Sequence, residues 1–319
     1  MGGGVCIAVM DVSIIIVNYN TKDLLKNCLE SVFKQTEGIQ FEVIVSDNGS
    51  KDGSVEMLKH DFPQVILIEN NANLGFGAAN NRGLAVAKGK YIFYLNSDTV
   101  LLNNAVKIFF DYWETAPDKE TLGALGANLL NEDMQVIHSC DDFPKLRKVL
   151  SNTMRALYGT VKLTLKKIIF RSEIPYFKGE NYFVRYILGE VGYITGADLF
   201  VVNSQLARFD EAFFMYCEET DMQEIMCRKG LKRVMIPGPE ILHLCGASSR
   251  GKDGNQVNLV QYFATFSSIH YNLSLIHYFK KRNVNRLLVF ILKVMIFILW
   301  MNPFIFGKTK AYIPLLIRK

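Results

Sequence analysis

The sequence predicts an α/β fold, a mostly parallel central sheet flanked by helices, followed by a C-terminal helical apolar extension. Two observations predict the sheet. Short β-branched or aromatic runs alternate with helically spaced segments from Val12 to Ala127, and that alternation calls for parallel strands joined by right-handed crossovers. Several of the runs also stop abruptly at Asn- or Asp-bearing turns, where open α/β sheets place their ligands. A third observation, the apolar stretch Leu287–Phe306, predicts the extension.

Val12–Val17 (VSIIIV) reads as the first strand, turning at Asn18-Tyr19-Asn20-Thr21 into a helix over Thr21–Lys34. Phe41–Val45 is the second strand, ending in Ser46-Asp47-Asn48-Gly49-Ser50. A helix over Asp52–His60, a strand over Val65–Ile68 and a small-residue helix over Gly75–Ala87 follow. Tyr91–Leu95 is continuously apolar and suits a central strand covered on both faces. It stops at Asn96-Ser97-Asp98, ahead of a helix over Asn103–Trp113 and a strand over Leu122–Ala127. Later, Gly189–Val202 is glycine-rich and then strand-like, and Cys217–Gly230 is helical. Leu231–Ile236 is a strand, and Ile241-Leu242-His243 follows a Pro-Gly-Pro turn.

The chain is long enough, at 319 residues and 50% hydrophobic, for a large catalytic domain with an appendage. A net charge of +5 does not call for nucleic acid. The six cysteines form no C-x-x-C pair and read as small buried hydrophobes in a reducing compartment. The N-terminus lacks the basic region of a signal peptide.

A parallel sheet gathers the loops after its strands along one edge, so Tyr19, Asp47, Asn73 and Asp98 should be neighbours. Asp47 there can accept from a pyrimidine N3–H or a ribose hydroxyl. Asn73-Leu74-Gly75-Phe76-Gly77, running on to Asn80 and Asn81, lets a flat base or sugar approach the backbone, or merely allows tight helix packing. Neither G-x-G-x-x-G after the first strand nor G-x-x-x-x-G-K-[ST] is present. A pyrophosphate must then be neutralised otherwise, and Mg2+ or Mn2+ on Asp98 does so. Gly196-Ala197-Asp198 offers a narrow passage and a carboxylate. Glu218, Glu219 and Asp221 open a helix, where acids cap the dipole or remove a proton from an acceptor hydroxyl. His243 stands in an apolar context before the polar loop Cys245–Arg250.

The ordered set SIIIVNYN, VSDNGSKDGS, NLGFGAANN, LNSDT, ITGADLFVV, FDEAFFMYCEETD and a late His resembles family 2 of the glycosyltransferases, over roughly Asp11 to Arg250. Its flavour is that of bacterial rhamnosyltransferase-like enzymes of surface polysaccharide synthesis. The resemblance implies the GT-A nucleotide-sugar fold over 1–250; charge and hydropathy mark 145–187 as a basic insert and 251–319 as a helical, membrane-associated extension. It places Asp47 at the base, with Asn18, Tyr19, Asn20, Asn48, Asn73, Gly75, Phe76, Asn80, Asn81 and Asp198 around the nucleotide sugar. Asn96-Ser97-Asp98 becomes the DxD-type motif, with Asp98 a metal ligand and His243 a further metal or pyrophosphate contact. Glu219 falls at the general base, where the family usually has Asp, with Glu218 and Asp221 as fallbacks. The implied donor is a dTDP- or UDP-linked sugar, and the implied acceptor a glycan or polyprenyl-diphosphate-linked saccharide. The other readings are a sugar-phosphate nucleotidyltransferase, which lacks its usual basic Gly-rich loop here, and a non-catalytic scaffold of a polysaccharide assembly.

Lys145–Arg185 holds ten cations against Glu173 and Glu180, with apolar residues interleaved, and reads as a solvated helical face or a membrane-surface element. Asn255–Lys281 reads as a helix, and Leu287–Phe306, broken by Lys293 and Asn302-Pro303, as a membrane-associated helix or hairpin. Flanking basic residues then face anionic lipid on the cytoplasmic side of the membrane.

Overall fold

The computed structural model describes residues 10–175, 185–244 and 258–319. Residues 1–9 with Cys6, then Lys178, Glu180 and the segment Cys245–Arg250, lie outside these residues. The chain forms two compact units. Described residues 10–143, 185–212 and 218–244 make the first, and 144–175, 213–217 and 258–319 the second.

In chain order the first unit begins with β1 (Val12–Asn18), α1 (Lys22–Gln35), β2 (Phe41–Asp47), α2 (Ser54–Asp61), β3 (Ile66–Glu69) and α3 (Phe76–Leu84). It continues with β4 (Tyr91–Asn96), β5 (Thr99–Leu101), α4 (Ala105–Thr115), β6 (Leu122–Gly126) and β7 (Cys140–Asp141). After α5 (Leu146–Phe170), which belongs to the second unit, come β8 (Gly189–Glu190), β9 (Tyr193–Ile194) and β10 (Asp198–Val202). The first unit closes with α6 (Glu218–Arg228), β11 (Lys232–Met235) and β12 (Ile241–His243).

The main sheet runs β3-β2-β1-β4-β10-β6-β11-β8. β1, β2, β3 and β4 are mutually parallel, as are β6 and β11, while β10 lies antiparallel between β4 and β6. Ile14, Ile15 and Ile16 have no exposed surface, because helices cover both faces. Each contributes roughly 1.5–3 kcal/mol by burial. Phe200 of β10 packs on Tyr91, Phe93, Phe109 and Trp113, with ring centroids 5.2–6.1 Å apart. That aromatic cluster packs the amino-terminal half of β4 at the centre of the sheet.

β5 was hidden in the sequence. It pairs antiparallel with β12, setting His243 opposite Thr99. Leu244 N–H also donates to Asp98 O at 2.9 Å.

The second unit holds α5 and then α7 (Phe266–Lys281), α8 (Arg286–Trp300), α9 (Phe306–Thr309) and α10 (Ile313–Arg318). α7 starts later than its expected Asn255, where Thr265 caps it by accepting from Ser268 N–H. α8 stops at Trp300 because Asn302 turns the chain and Pro303 has no N–H to continue a helix. Ile269, Leu273, Ile276, Val289, Leu292, Ile296 and Trp300 form its core. Among the described residues no helix is long and apolar enough to cross a membrane.

Candidate active site

The loops after β1, β2 and β4 meet through side chains. Asn18 Nδ2 donates to Asp47 Oδ1 at 2.7 Å and to Ser50 Oγ at 3.0 Å. Thr21 Oγ1 donates to Asn18 Oδ1 at 2.7 Å and lies 3.0 Å from Ser97 Oγ. Asp47 Oδ2 accepts from Gly49 and Ser50 N–H. Gly49 has φ 78°, and a Cβ there would stand 2.9 Å from Ala72 N, so the turn requires glycine. Asn48 Nδ2 donates to Gly75 O at 3.2 Å and reaches Asn73 Oδ1 at 3.4 Å, which itself accepts from Gly75 N–H. The expected neighbours are therefore joined, and Tyr19 stands exposed beside them.

Several expected ligand contacts are engaged inside the protein. Asp47 is 1% exposed, with both oxygens already accepting. Asn81 donates to Phe209 O and Glu211 Oε1 and accepts from Phe209 N–H, so its amide ties α3 to the 209–211 loop. Asn80 donates to Phe76 O, four residues back on α3. Asn20, in a left-handed conformation, accepts from Lys51 N–H. Asp198 has no exposed surface at all. Its Oδ2 accepts from Ala127 N–H at 2.6 Å, while its buried Oδ1 has no hydrogen-bond partner among the described residues. Desolvation pushes its carboxyl well above the usual range, against the Ala127 N–H bond and the pull of His243. Asp198 is thus a fully buried carboxyl whose charged form the fold disfavours, which no motif discloses.

His243 Nε2 lies 3.2 Å from Asp98 Oδ1, and both side chains are largely buried. The β5–β12 pairing makes this approach, across residues far apart in sequence. One carboxylate oxygen and one imidazole nitrogen are suitable first ligands for Mn2+ or Mg2+. Among the described residues no group of three His, Cys, Asp or Glu could hold a metal ion. A cation here fits only with diphosphate oxygens and water completing its shell, the usual arrangement for these ions.

The acids of α6 separate by environment. Glu218 and Asp221 are 2% and 1% exposed, and Glu218 packs its methylenes near Gly77. Glu219 is partly open. A Cβ on Gly196 would lie tight against the Phe76 ring, at 3.3 Å, and in ordinary contact with Glu219 Cβ, at 3.8 Å, so Gly196 is a neighbour of both. Ala197 O in turn accepts from Asn96 N–H, linking Glu219's neighbours to the Asn96–Asp98 turn. Gln223, which no motif marked, locks α6 to β9 by bonding both the N–H and the C=O of Ile194. Desolvation raises the Glu219 carboxyl to about 7, against backbone N–H groups that lower it. Tyr216 and Cys217, just ahead of α6, have φ of 70° and 65°, a left-handed turn of the strained kind that clusters at functional sites.

Residues 13–168 match the family described as Glycosyl transferase family 2. The chain carries a family 2 glycosyltransferase domain. It is 27% identical over 261 residues to N-acetylglucosaminyl-diphospho-decaprenol L-rhamnosyltransferase of Mycobacterium tuberculosis, covering 75% of this chain and 78% of that one. It is 34% identical over 121 residues to poly(ribitol-phosphate) beta-glucosyltransferase of Bacillus spizizenii, covering 36% of this chain but only 19% of that protein. A 37% identical match over 112 residues links it to the UDP-Glc:alpha-D-GlcNAc-diphosphoundecaprenol beta-1,3-glucosyltransferase WfaP of Escherichia coli, over 32% of this chain and 44% of that one. Among solved structures, a mannosyltransferase from Pyrobaculum calidifontis in complex with GDP-Man and Mn2+ superposes with TM-score 0.50 at 17% identity, over 94% of this chain and 73% of that one. The family 2 domain has the GT-A fold, and the relatives that share it are transferases.

Proposed function

We propose that this chain is an inverting glycosyltransferase that moves a sugar from a dTDP- or UDP-linked donor to a hydroxyl of a lipid-linked saccharide at a membrane surface. Rhamnose is the candidate sugar, after the mycobacterial relative that the chain matches along most of its length. The observation that carries the reading is the meeting of Asp98 and His243 at 3.2 Å just past the end of β4, with Gly196 beside Glu219 and the adjoining Ala197 bonded to Asn96 of that turn. The first unit is the catalytic domain in this reading, and the second serves the acceptor's lipid environment.

Asp98 and His243 would hold the divalent cation, which when bound offsets the charge gathering on the departing diphosphate. Tyr19, Asn20, Asn73 and Phe76 line the nucleoside side, while Asp47 sets the turn beneath them. Glu219 takes the acceptor hydroxyl proton as that oxygen bonds to the anomeric carbon. The bond from that carbon to the diphosphate oxygen breaks with its electron pair leaving on the diphosphate, and the anomeric configuration inverts. Glu218 and Asp221, being buried, support α6 instead. Donor screening with dTDP- and UDP-sugars and a lipid-linked N-acetylglucosamine acceptor tests this. One sugar added with inverted configuration supports it; retention of configuration, or nucleotidyl transfer from an NTP, overturns it.

A further inference from the structure

A two-faced helix in the second unit has no polar side. On α8, Val289, Leu292, Ile296 and Leu299 are buried in the core. Leu287, Phe290, Ile291, Val294, Ile298 and Met301, the last at its C-cap, are 37–65% exposed. At 3.6 residues per turn these six fall within an arc of about 100°. A surface helix of a soluble protein carries polar residues there. Lys293, the one charged residue of α8 beyond Arg286, is drawn aside, its Nζ donating to Ile317 O at 3.1 Å. The stripe is therefore uninterrupted by charge.

The charge of the surrounding unit is one-sided. Its described residues carry seventeen Lys and Arg against a single acid, Glu173, and residues 258–319 contain no Asp or Glu at all. The chain as a whole has 31 acids, so the segregation is not a matter of composition. A second protein copy would bring the same positive charge to a shared face and be repelled. An anionic bilayer is complementary to both features, with apolar side chains entering the headgroup boundary and cations meeting the lipid phosphates.

We propose that the outward face of α8 is a monotopic docking surface that lays the second unit on an anionic membrane without spanning it. The inference deepens the lipid-linked acceptor reading by naming the surface that would meet the bilayer, but it does not depend on any transferase activity. The test is flotation of the full chain with phosphatidylcholine vesicles, with and without phosphatidylglycerol. Wild type should float with the anionic vesicles, and less well as salt rises. The triple variant Phe290→Gln, Val294→Gln, Ile298→Gln changes only exposed side chains, and its fold is checked by circular dichroism and thermal midpoint. It should lose at least about ten-fold in vesicle affinity, from lost apolar burial. A second variant, Lys308→Gln with Lys310→Gln, should weaken binding to anionic vesicles and flatten its salt dependence. Wild type failing to float with either vesicle, or a folded triple variant floating as wild type does, overturns the proposal. So does a wild-type dimer that the triple variant converts to monomer with vesicle binding unchanged. Sugar transfer to a short, soluble acceptor, measured alongside, reports on the catalytic reading alone.

Discussion

Glu219→Gln tests the assignment of the base most sharply, because the structure sets both its size and its pH dependence. The Glu219 carboxyl is raised by desolvation to about 7. Its working form is the carboxylate, so the rate should rise with pH through that value and level off above it. At pH 5.5 only a minor fraction of such a group is ionised, which places kcat/KM on the order of ten-fold below its plateau. A carboxyl at its ordinary value would be almost fully ionised there, and the profile would be flat. Replacing the carboxylate with an amide of the same shape should lower kcat by about 10²–10⁴-fold while leaving donor affinity near wild type. The stability sign is opposite to the usual carboxylate case. A raised folded pKa favours the native state fully below the unfolded value of 4.5, and that contribution is lost as pH rises through about 7. The Gln variant should therefore be the more stable protein above neutral pH, by roughly 1–3 kcal/mol. The assay is nucleoside diphosphate release under acceptor saturation from pH 5 to 9, paired with denaturation at both ends. A flat profile between pH 5.5 and 8, or a Gln variant within ten-fold of wild type, refutes the reasoning.

Other consequences are structural. Asn18→Ala removes the donor from Asp47 Oδ1 and from Ser50, leaving a buried carboxylate short of a partner. It should cost about 1–3 kcal/mol in urea denaturation; an unchanged midpoint would show that water replaces the amide. Gly89→Ala would put a Cβ 2.4 Å from Ser13 N and 2.7 Å from Val12 C, both backbone atoms that cannot turn away. A loss of about 3 kcal/mol or more should follow, read as a fall in melting temperature and soluble yield, and a near-native melting curve would count against the packing described. Gln223→Leu frees both main-chain groups of Ile194 and loosens α6 from β9. It should lower both stability and kcat, and an effect on neither would remove Gln223 from the account.

The sheet was legible because each of its strands to β4 is a β-branched or aromatic run bounded by polar turns. β5 was not, since Thr99-Val100-Leu101 follows a turn directly and is only three residues long. Its strand character comes from pairing with β12, which no local pattern announces. That hidden pair is what brings His243 to Asp98, so their adjacency rested on resemblance until the fold was known. Burial was equally invisible. Asp47, Asn81 and Asp198 read as ligand contacts from their places after strands and in glycine-rich segments and from the family resemblance, yet here they bond inward. Local pattern alone does not rank Glu218, Glu219 and Asp221; the resemblance singles out Glu219, and in the fold Glu219 is the most exposed of the three. The end of α8 is legible in Asn302-Pro303 and its all-round apolar character in Leu287–Phe306, whereas which face is buried is set by the packing of the second unit.

The central claim is that Asp98 and His243 together hold a cation on which the donor diphosphate rests. Calorimetric titration of UDP and dTDP into wild type, Asp98→Ala and His243→Ala, with Mn2+ and then with chelator, measures this most directly. One nucleotide should bind wild type only with Mn2+, and each variant should lose at least about ten-fold in that affinity. Equal binding in chelator, or variants that bind as wild type does, would contradict it.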